Sequence, residues 1–573
     1  MPAHETAEAR QQFGHRSYVT ALALLTVVFT LVLLTWASLT PAYRSYDETK
    51  HVNSAVRLAY GGGWPAPGDA LVAPFIRTAT YEGARWTNRP GSDTPFDRDF
   101  VDVTPTRDEA RSRVGPHNAL PTTDSALVDQ MTQHPPLYYA TEAGLMSLVG
   151  QEDGRWDVQL LVLRLVSVGM VAPLPLFVAA TTRRLGGSRA LALLAAALAL
   201  AIPQLAYIGG SVNNDNLLVL TGAAATYLLV RIVQGDLRYR TLLLAALVVG
   251  AGLMTKAFMA FFGPAFVLAV LLARGDVRLA GRLGRGAVLG AATMATGGWW
   301  WVRNYLLYGS FQQPSVYRQP AVGGDRATVP EFLGVAIDRL AHSFWGDLVG
   351  TPELFSDVAV VLLTAALVLL LLAGLLPRRA RPASWLLVGT TVLVLVMVLV
   401  RGYGNHLRYD LFPGLQGRYL FVTVAGLLAV AAVGVGVLLR TERARAHATL
   451  LAAGAGLGLA AYGLGYALTM YYVEGTGVEA LIEGVRRWVA WSPLTGWQAG
   501  LLLVALVGAS LTLLVALARA TWRAPRGPGD GRAAVMTGES AAPARHVSPR
   551  RTAQAGTLTE SPSPRTGRTR RNP

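Results

Sequence analysis

The sequence predicts an all-α fold: a polytopic transmembrane helical bundle of about twelve spans with a long outer first loop. Three observations predict it. The 573 residues are 52% hydrophobic and only 15% charged. Apolar runs of roughly 17–25 residues recur along the chain, the length needed to cross ~30 Å of hydrocarbon. Between them lie short loops rich in arginine: Arg183-Arg184, Arg238 and Arg240, 274–285, 378–381 and 440–445. Short basic loops beside spans mark the cytoplasmic side of a membrane.

The elements follow in order. A tail over 1–17 precedes the first run, 18–39, which is longer than the roughly 7–15 residues of a signal-peptide core and is read as a retained helix. The segment 40–157 is acidic and far longer than most connections, which marks it for function. It is expected to hold short interfacial helices such as 47–60, and its apolar stretch 136–149 is too short, at about 14 residues, to cross. Spans are then expected near 158–181, 187–207, 215–233, 241–255, 257–273, 286–303, 356–376, 384–400, 418–439, 447–470 and 497–519. Parity places both termini in the cytoplasm and the loops 40–157, 304–355, 401–417 and 471–496 outside. The bundle thus runs over 18–519, and the basic segment 520–573, rich in Pro, Gly, Ser and Arg, is expected to be disordered and held near anionic lipid headgroups. No internal repeat is visible.

Composition excludes several classes. Without cysteine there is neither disulfide nor thiol chemistry. The net charge of +16 resides in the short loops and the tail, which points to membrane lipids and not to nucleic acid. No P-loop and no dinucleotide-binding glycine pattern follows a strand, which disfavours ATP-driven transport and nucleotide-sugar chemistry.

An ionisable residue in a membrane costs about 2.5–3.5 kcal/mol on insertion scales, so each needs a reason. The unusual ones collect on the outer side. Asp47, Glu48 and His51 follow the first span, and at helical spacing the three share one face. His134 precedes Pro135-Pro136, which stiffens the chain. Arg164 lies about two turns into the second span. Asn214 and Asp215 stand in a tight turn, Lys256 in another, Arg303 and Asn304 at the end of the seventh span, and Arg408 and Arg418 between the ninth and tenth. Bland readings stand beside each: Asp47 and Glu48 as a dipole-favoured helix start, Asn213–Asp215 as a turn with an N-cap, and Arg303 and Arg418 as terminal snorkelling arginines. Their joint occurrence on one face suits transfer of a group from a lipid phosphate. A carboxylate would take the acceptor's proton, and cations would stabilise the departing phosphate.

Asp47-Glu48 with His51, followed by His134-Pro135-Pro136-Leu137-Tyr138-Tyr139, resembles the first outer loop of GT-C glycosyltransferases. That superfamily includes the protein O-mannosyltransferases and the lipid A aminoarabinose transferase. Ser211-Val212-Asn213-Asn214-Asp215, the stretch Trp301-Val302-Arg303-Asn304-Tyr305-Leu306-Leu307-Tyr308-Gly309, and Gln416-Gly417-Arg418-Tyr419 resemble a bacterial family of multi-pass GT-C-like proteins. The resemblance spans about 18–440. It implies an inverting transfer from a polyprenyl-phosphate-linked sugar donor to an extracytoplasmic glycan, lipid or protein acceptor of the cell envelope, in the plasma membrane. It makes Asp47 the expected base, with Glu48 second. His51, His134, Arg164, Asn214, Asp215, Lys256, Arg303, Asn304, Arg408 and Arg418 become expected substrate contacts. Some members need a divalent metal ion and others do not; Asp47, Glu48, His51 and His134 are the ligands available, although no compact metal motif is present. The chain departs from the superfamily in carrying Gln133-His134 where a basic residue often precedes the prolines. Two other functions fit a polytopic chain with buried charge: a transporter or flippase of a lipid-linked intermediate, and a scaffold for envelope assembly. Charges spread through both membrane halves would favour transport, and lack of a deep outer cavity joining Asp47 to Arg303 and Arg418 would favour the scaffold.

Overall fold

The computed structural model describes residues 14–84, 104–121, 127–313, 326–349, 351, 353–409, 412 and 414–523. The helices are α1 (His15–Leu39), α2 (Glu48–Ala59), α3 (Pro74–Glu82), α4 (Leu137–Leu148), α5 (Trp156–Val171), α6 (Leu174–Arg184), α7 (Arg189–Leu198) and α8 (Pro203–Gly209). After these come α9 (Asp215–Val233), α10 (Tyr239–Leu253), α11 (Phe262–Leu271), α12 (Leu279–Thr293), α13 (Trp299–Tyr308) and α14 (Val329–Trp345). The last are α15 (Asp357–Gly374), α16 (Arg381–Tyr409), α17 (Val424–Leu438), α18 (Glu442–Tyr472), α19 (Val478–Trp491) and α20 (Gly496–Arg523). No strand occurs among the described residues, where two isolated bridges are the only β pairing.

The chain is a multi-pass membrane protein. Among the described residues, eight helices are long and apolar enough to cross, or nine when the pair from Arg189 to Gly209 counts as one broken span. That pair bends by 73° just ahead of Pro203, whose ring removes a backbone donor. The other three of the expected twelve are the short apolar helices Tyr239–Leu253 and Ala257–Leu271 and the run α12–α13. The last is interrupted by one π-helical turn, Met294–Gly298. There α10 and the turn approach so closely that a Cβ on Gly250 would lie 2.0 Å from Thr296 Oγ1, and one on Gly297 2.0 Å from the Gly250 carbonyl. Only glycine fits such a crossing, and a π turn is the usual device that re-aims a helix around one.

Other boundaries move for physical reasons. The helix expected over 384–400 continues to Tyr409, because Arg401, Asn405 and Arg408 at helical spacing line the polar cavity described below. Two segments expected only as outer loops, 304–355 and 471–496, contain helices, α14 and α19. Residues 136–149 are too short to cross: α4 is only 12 residues long and packs on α2, forming a separate core with Tyr43, Val52, Val56 and Tyr138. The expected helix over 47–60 is α2. Most of the 520–573 segment lies outside the described residues, as do 1–13.

Candidate active site

Everything at the site depends on how the chain leaves the membrane after α1. Arg164 of α5 donates from Nη1 to the carbonyls of Ala37 (2.8 Å) and Thr40 (2.6 Å), and from Nη2 to Pro41 (3.0 Å). These are the orphan carbonyls of a helix end, the groups a cation satisfies best. The same guanidinium grips Glu48 with two bonds, 2.8 and 2.7 Å, and the Val212 N–H donates to Glu48 at 3.1 Å. Glu48 is fully buried. It is therefore spent on holding α1, α2, α5 and the turn before α9 together, and neither it nor Arg164 reaches the cavity wall. The shared face expected for Asp47, Glu48 and His51 fails because Asp47 is not helical: it caps α2 in the left-handed region, at φ 56.

That turn sends the Asp47 carboxylate the other way, into a cavity of about 540 Å³. Asp47, His51, His134, Asn214, Lys256, Arg408 and Arg418, all expected from the sequence, line it. They arrive from the start of α2, a one-turn helix at Gln130–Gln133, the turn before α9, the α10–α11 junction, the end of α16 and the segment Gly417–Thr423. Asp215 lies directly beneath. Its Oδ1 accepts from Lys256 Nζ at 2.5 Å, and its Oδ2 is 3.6 Å from Arg418 Nε. Arg418 Nη2 in turn is 3.7 Å from Asp47 Oδ2. The Arg418 guanidinium lies 4.5 Å over the Tyr46 ring, and Lys256 Nζ 4.8 Å over Tyr419, cation–π contacts that hold both charges on the wall. Arg418 Nη1 is buried without a hydrogen-bond partner, a donor left for a ligand.

Burial holds the His51 and His134 rings well below the usual histidine range, and Lys256 pushes both further down. His51 Nδ1 meets the Tyr139 hydroxyl at 2.9 Å with the rings stacked. His134 receives a bond on its carbonyl from Trp64 Nε1 (3.1 Å), while its ring Nδ1 has no hydrogen-bond partner. The one-turn helix before it is pinned by Asp129, which accepts from Asn53 and Ser54 at 2.7 Å each and from the Met131 N–H at 2.9 Å. Burial nonetheless raises the Asp129 carboxyl above its ordinary value.

Arg303 and Asn304 are not brought to the cavity. The Arg303 guanidinium lies 4.9 Å over the Trp300 ring, and buried Asn304 donates to the Phe311 carbonyl at 3.3 Å. Asn213, also among the expected polar groups, lines the wall, and the sequence reading missed Tyr46, Gln130, Arg401, Gln416 and Tyr419 there. For Arg401 the signal was present, since Arg401, Asn405 and Arg408 form a polar stripe at i, i+4, i+7 where the preceding run is apolar. As for metal, Asp47, His51 and His134 share the cavity. Among the described residues, no three His, Asp or Glu of the cavity bring ligand atoms within 4.8 Å of one another.

Residues 133–301 match the family model described as Dolichyl-phosphate-mannose-protein mannosyltransferase. Two solved structures overlap the chain more loosely. ArnT from Cupriavidus metallidurans, bound to undecaprenyl phosphate, is 15% identical over 88% of this chain and 74% of its own, with a TM-score of 0.46. The oligosaccharyltransferase of Archaeoglobus fulgidus in its apo form is 13% identical over 86% of this chain and 56% of its own, with a TM-score of 0.37. No curated protein matches the chain. The stretch carrying His134, Asn214, Asp215 and Lys256 is thus one that a mannosyltransferase family model recognises, and the resemblance read from the sequence is borne out there.

Proposed function

We propose that the chain is an integral-membrane glycosyltransferase that moves a sugar from a polyprenyl-phosphate carrier to an extracytoplasmic glycan, lipid or protein of the cell envelope. One observation carries this reading: a partly open carboxylate, Asp47, faces a cavity whose wall presents Lys256 and Arg418 on a buried Asp215. The acceptor oxygen attacks the sugar's anomeric carbon as the bond to the carrier phosphate breaks, and the bonding pair leaves on the phosphate. Asp47 takes the acceptor's proton. Attack opposite the leaving group inverts the anomeric centre. The departing phosphate faces four cations, Lys256, Arg401, Arg408 and Arg418, an excess over the two carboxylates Asp47 and Asp215. Fixed charge of that sign stabilises the leaving group at the moment charge develops on it. Asn214, His51 and His134 present polar groups to the cavity and orient sugar or acceptor.

The test is transfer by the purified full-length protein from a panel of polyprenyl-phosphate sugars, read as released polyprenyl phosphate. Asp47→Asn should slow transfer about 10²–10⁴-fold, the usual worth of a general base, with expression and membrane insertion unchanged. Near-normal transfer by that variant sinks the assignment. Carrier movement across a bilayer with no phosphate release would favour the flippase reading.

A further inference from the structure

We propose that α14 and the start of α15 form a divalent metal site of the Zn²⁺ class, separate from the cavity and independent of the glycosyltransferase reading. His342, near the end of α14, supplies a ring nitrogen, and Glu353 and Asp357 one carboxylate oxygen each. The three ligand atoms lie within 4.8 Å of one another. The ring is flanked on both edges: Nε2 is 3.3 Å from Asp357 and 3.7 Å from Asp338, and Nδ1 is 3.6 Å from Glu353. Around a four-coordinate ion about 2 Å from each ligand, donor atoms lie roughly 3.3 Å apart, the spacing of Nε2 and Asp357; a single ion binds only one of the two ring nitrogens. The separations around the ring are poor for hydrogen bonds.

The second observation is the histidine itself. The His342 side chain is only 8% exposed, yet its Nδ1 has no hydrogen-bond partner. A buried imidazole nitrogen left unpaired, with the 63% exposed Glu353 carboxylate beside it and the 84% exposed Asp357 at the ring's other edge, is a site built from the inside with its acidic half open to solvent. The donor set selects the ion. One imidazole with carboxylates suits Zn²⁺, whereas an all-oxygen set would suit Ca²⁺ or Mg²⁺.

The position gives the ion a task. On its other side α14 packs on the segment that carries Arg418: Ser343 Oγ accepts from the Gly417 N–H at 2.7 Å. Just past α14, Asp347 accepts from the hydroxyl of Tyr46, the ring under Arg418. An ion joining α14 to α15 therefore fixes the helix on which one wall of the cavity rests.

The experiment uses the full-length protein in detergent, purified without a polyhistidine tag and stripped with a chelator. Titration with Zn²⁺ alone should show one ion per chain and a higher melting temperature. His342→Ala should weaken binding about 100-fold or more, as loss of a ligand does. The double variant Glu353→Gln with Asp357→Asn changes only exposed side chains and should match it while remaining folded. Asp47→Asn should bind Zn²⁺ as the native chain does. Absence of stoichiometric binding overturns the proposal, as does binding untouched by the double variant or lost in Asp47→Asn instead.

Discussion

Asp47 faces the cavity through a backbone conformation that residues with side chains seldom adopt, which short polar ones tolerate best. The neighbouring Glu48, one residue on, is turned inward to Arg164. Two adjacent carboxylates thus have opposite fates, and no spacing rule in the sequence could separate them, because the choice is made by Arg164, more than a hundred residues away. Buried titratable groups give the site a pH window. His51 and His134 bind a proton near pH 6.5 when unfolded, but only at lower pH when folded. Their contribution to stability is therefore full above 6.5 and is lost as pH falls toward their folded values. Glu142 works in the opposite direction. Burial in α4 pushes it up to about 8, so its contribution is full below about 4.5 and is lost as pH rises from there through 8. Melting temperatures should fall on both sides of a maximum near neutrality. Glu142→Gln should flatten the decline above the maximum and steepen the acid limb, which thermal scans across pH 5–9 would show.

At the level of elements, the pair Glu48–Arg164 joins the end of α1 to the start of α2. Glu48→Gln leaves a buried guanidinium half-paired and should cost about 3–5 kcal/mol of stability, seen as a lower melting temperature. Transfer per folded molecule should change far less than in Asp47→Asn, since Glu48 does not reach the cavity. The close crossing of α10 with the Met294–Gly298 turn makes a second case. Gly250→Val puts two methyls where Thr296 already stands and should force the helices apart, lowering melting temperature and folded yield together. Helices were legible wherever an apolar run stood between arginines. α14 and α19 were not, because these amphipathic helices carry no long apolar run to announce them. Arg401 was assigned to a loop because an apolar run ended one residue before it. In the structure it is the first of three polar residues on one stripe of a continuing helix.

On the scale of the whole molecule, loop charge and parity brought Asp47, His134, Lys256 and Arg418 to one side, and the structure gathers all four around one cavity. Arg303 and Asn304 share that sequence logic but not the destination, because position along a membrane normal does not say which way a helix face turns. The cations on the wall should make transfer sensitive to ionic strength. Raising salt should weaken carrier binding through Arg408, whose side chain is exposed, more than through the buried Lys256. Measured KM against salt should therefore flatten in Arg408→Gln.

The two short apolar helices on either side of Lys256 have a consequence for the lipid around them. Fifteen residues rise only about 22 Å, well short of ~30 Å of hydrocarbon. A bilayer meeting them must pinch inward on that flank or leave apolar surface wet. The pinch would lower the headgroup plane toward the junction where Lys256 waits, shortening the descent of a carrier's phosphate. Reconstituted in lipids of graded acyl length, the protein should turn over faster in thin bilayers than in thick ones. A rate indifferent to thickness would show that the carrier enters from another side.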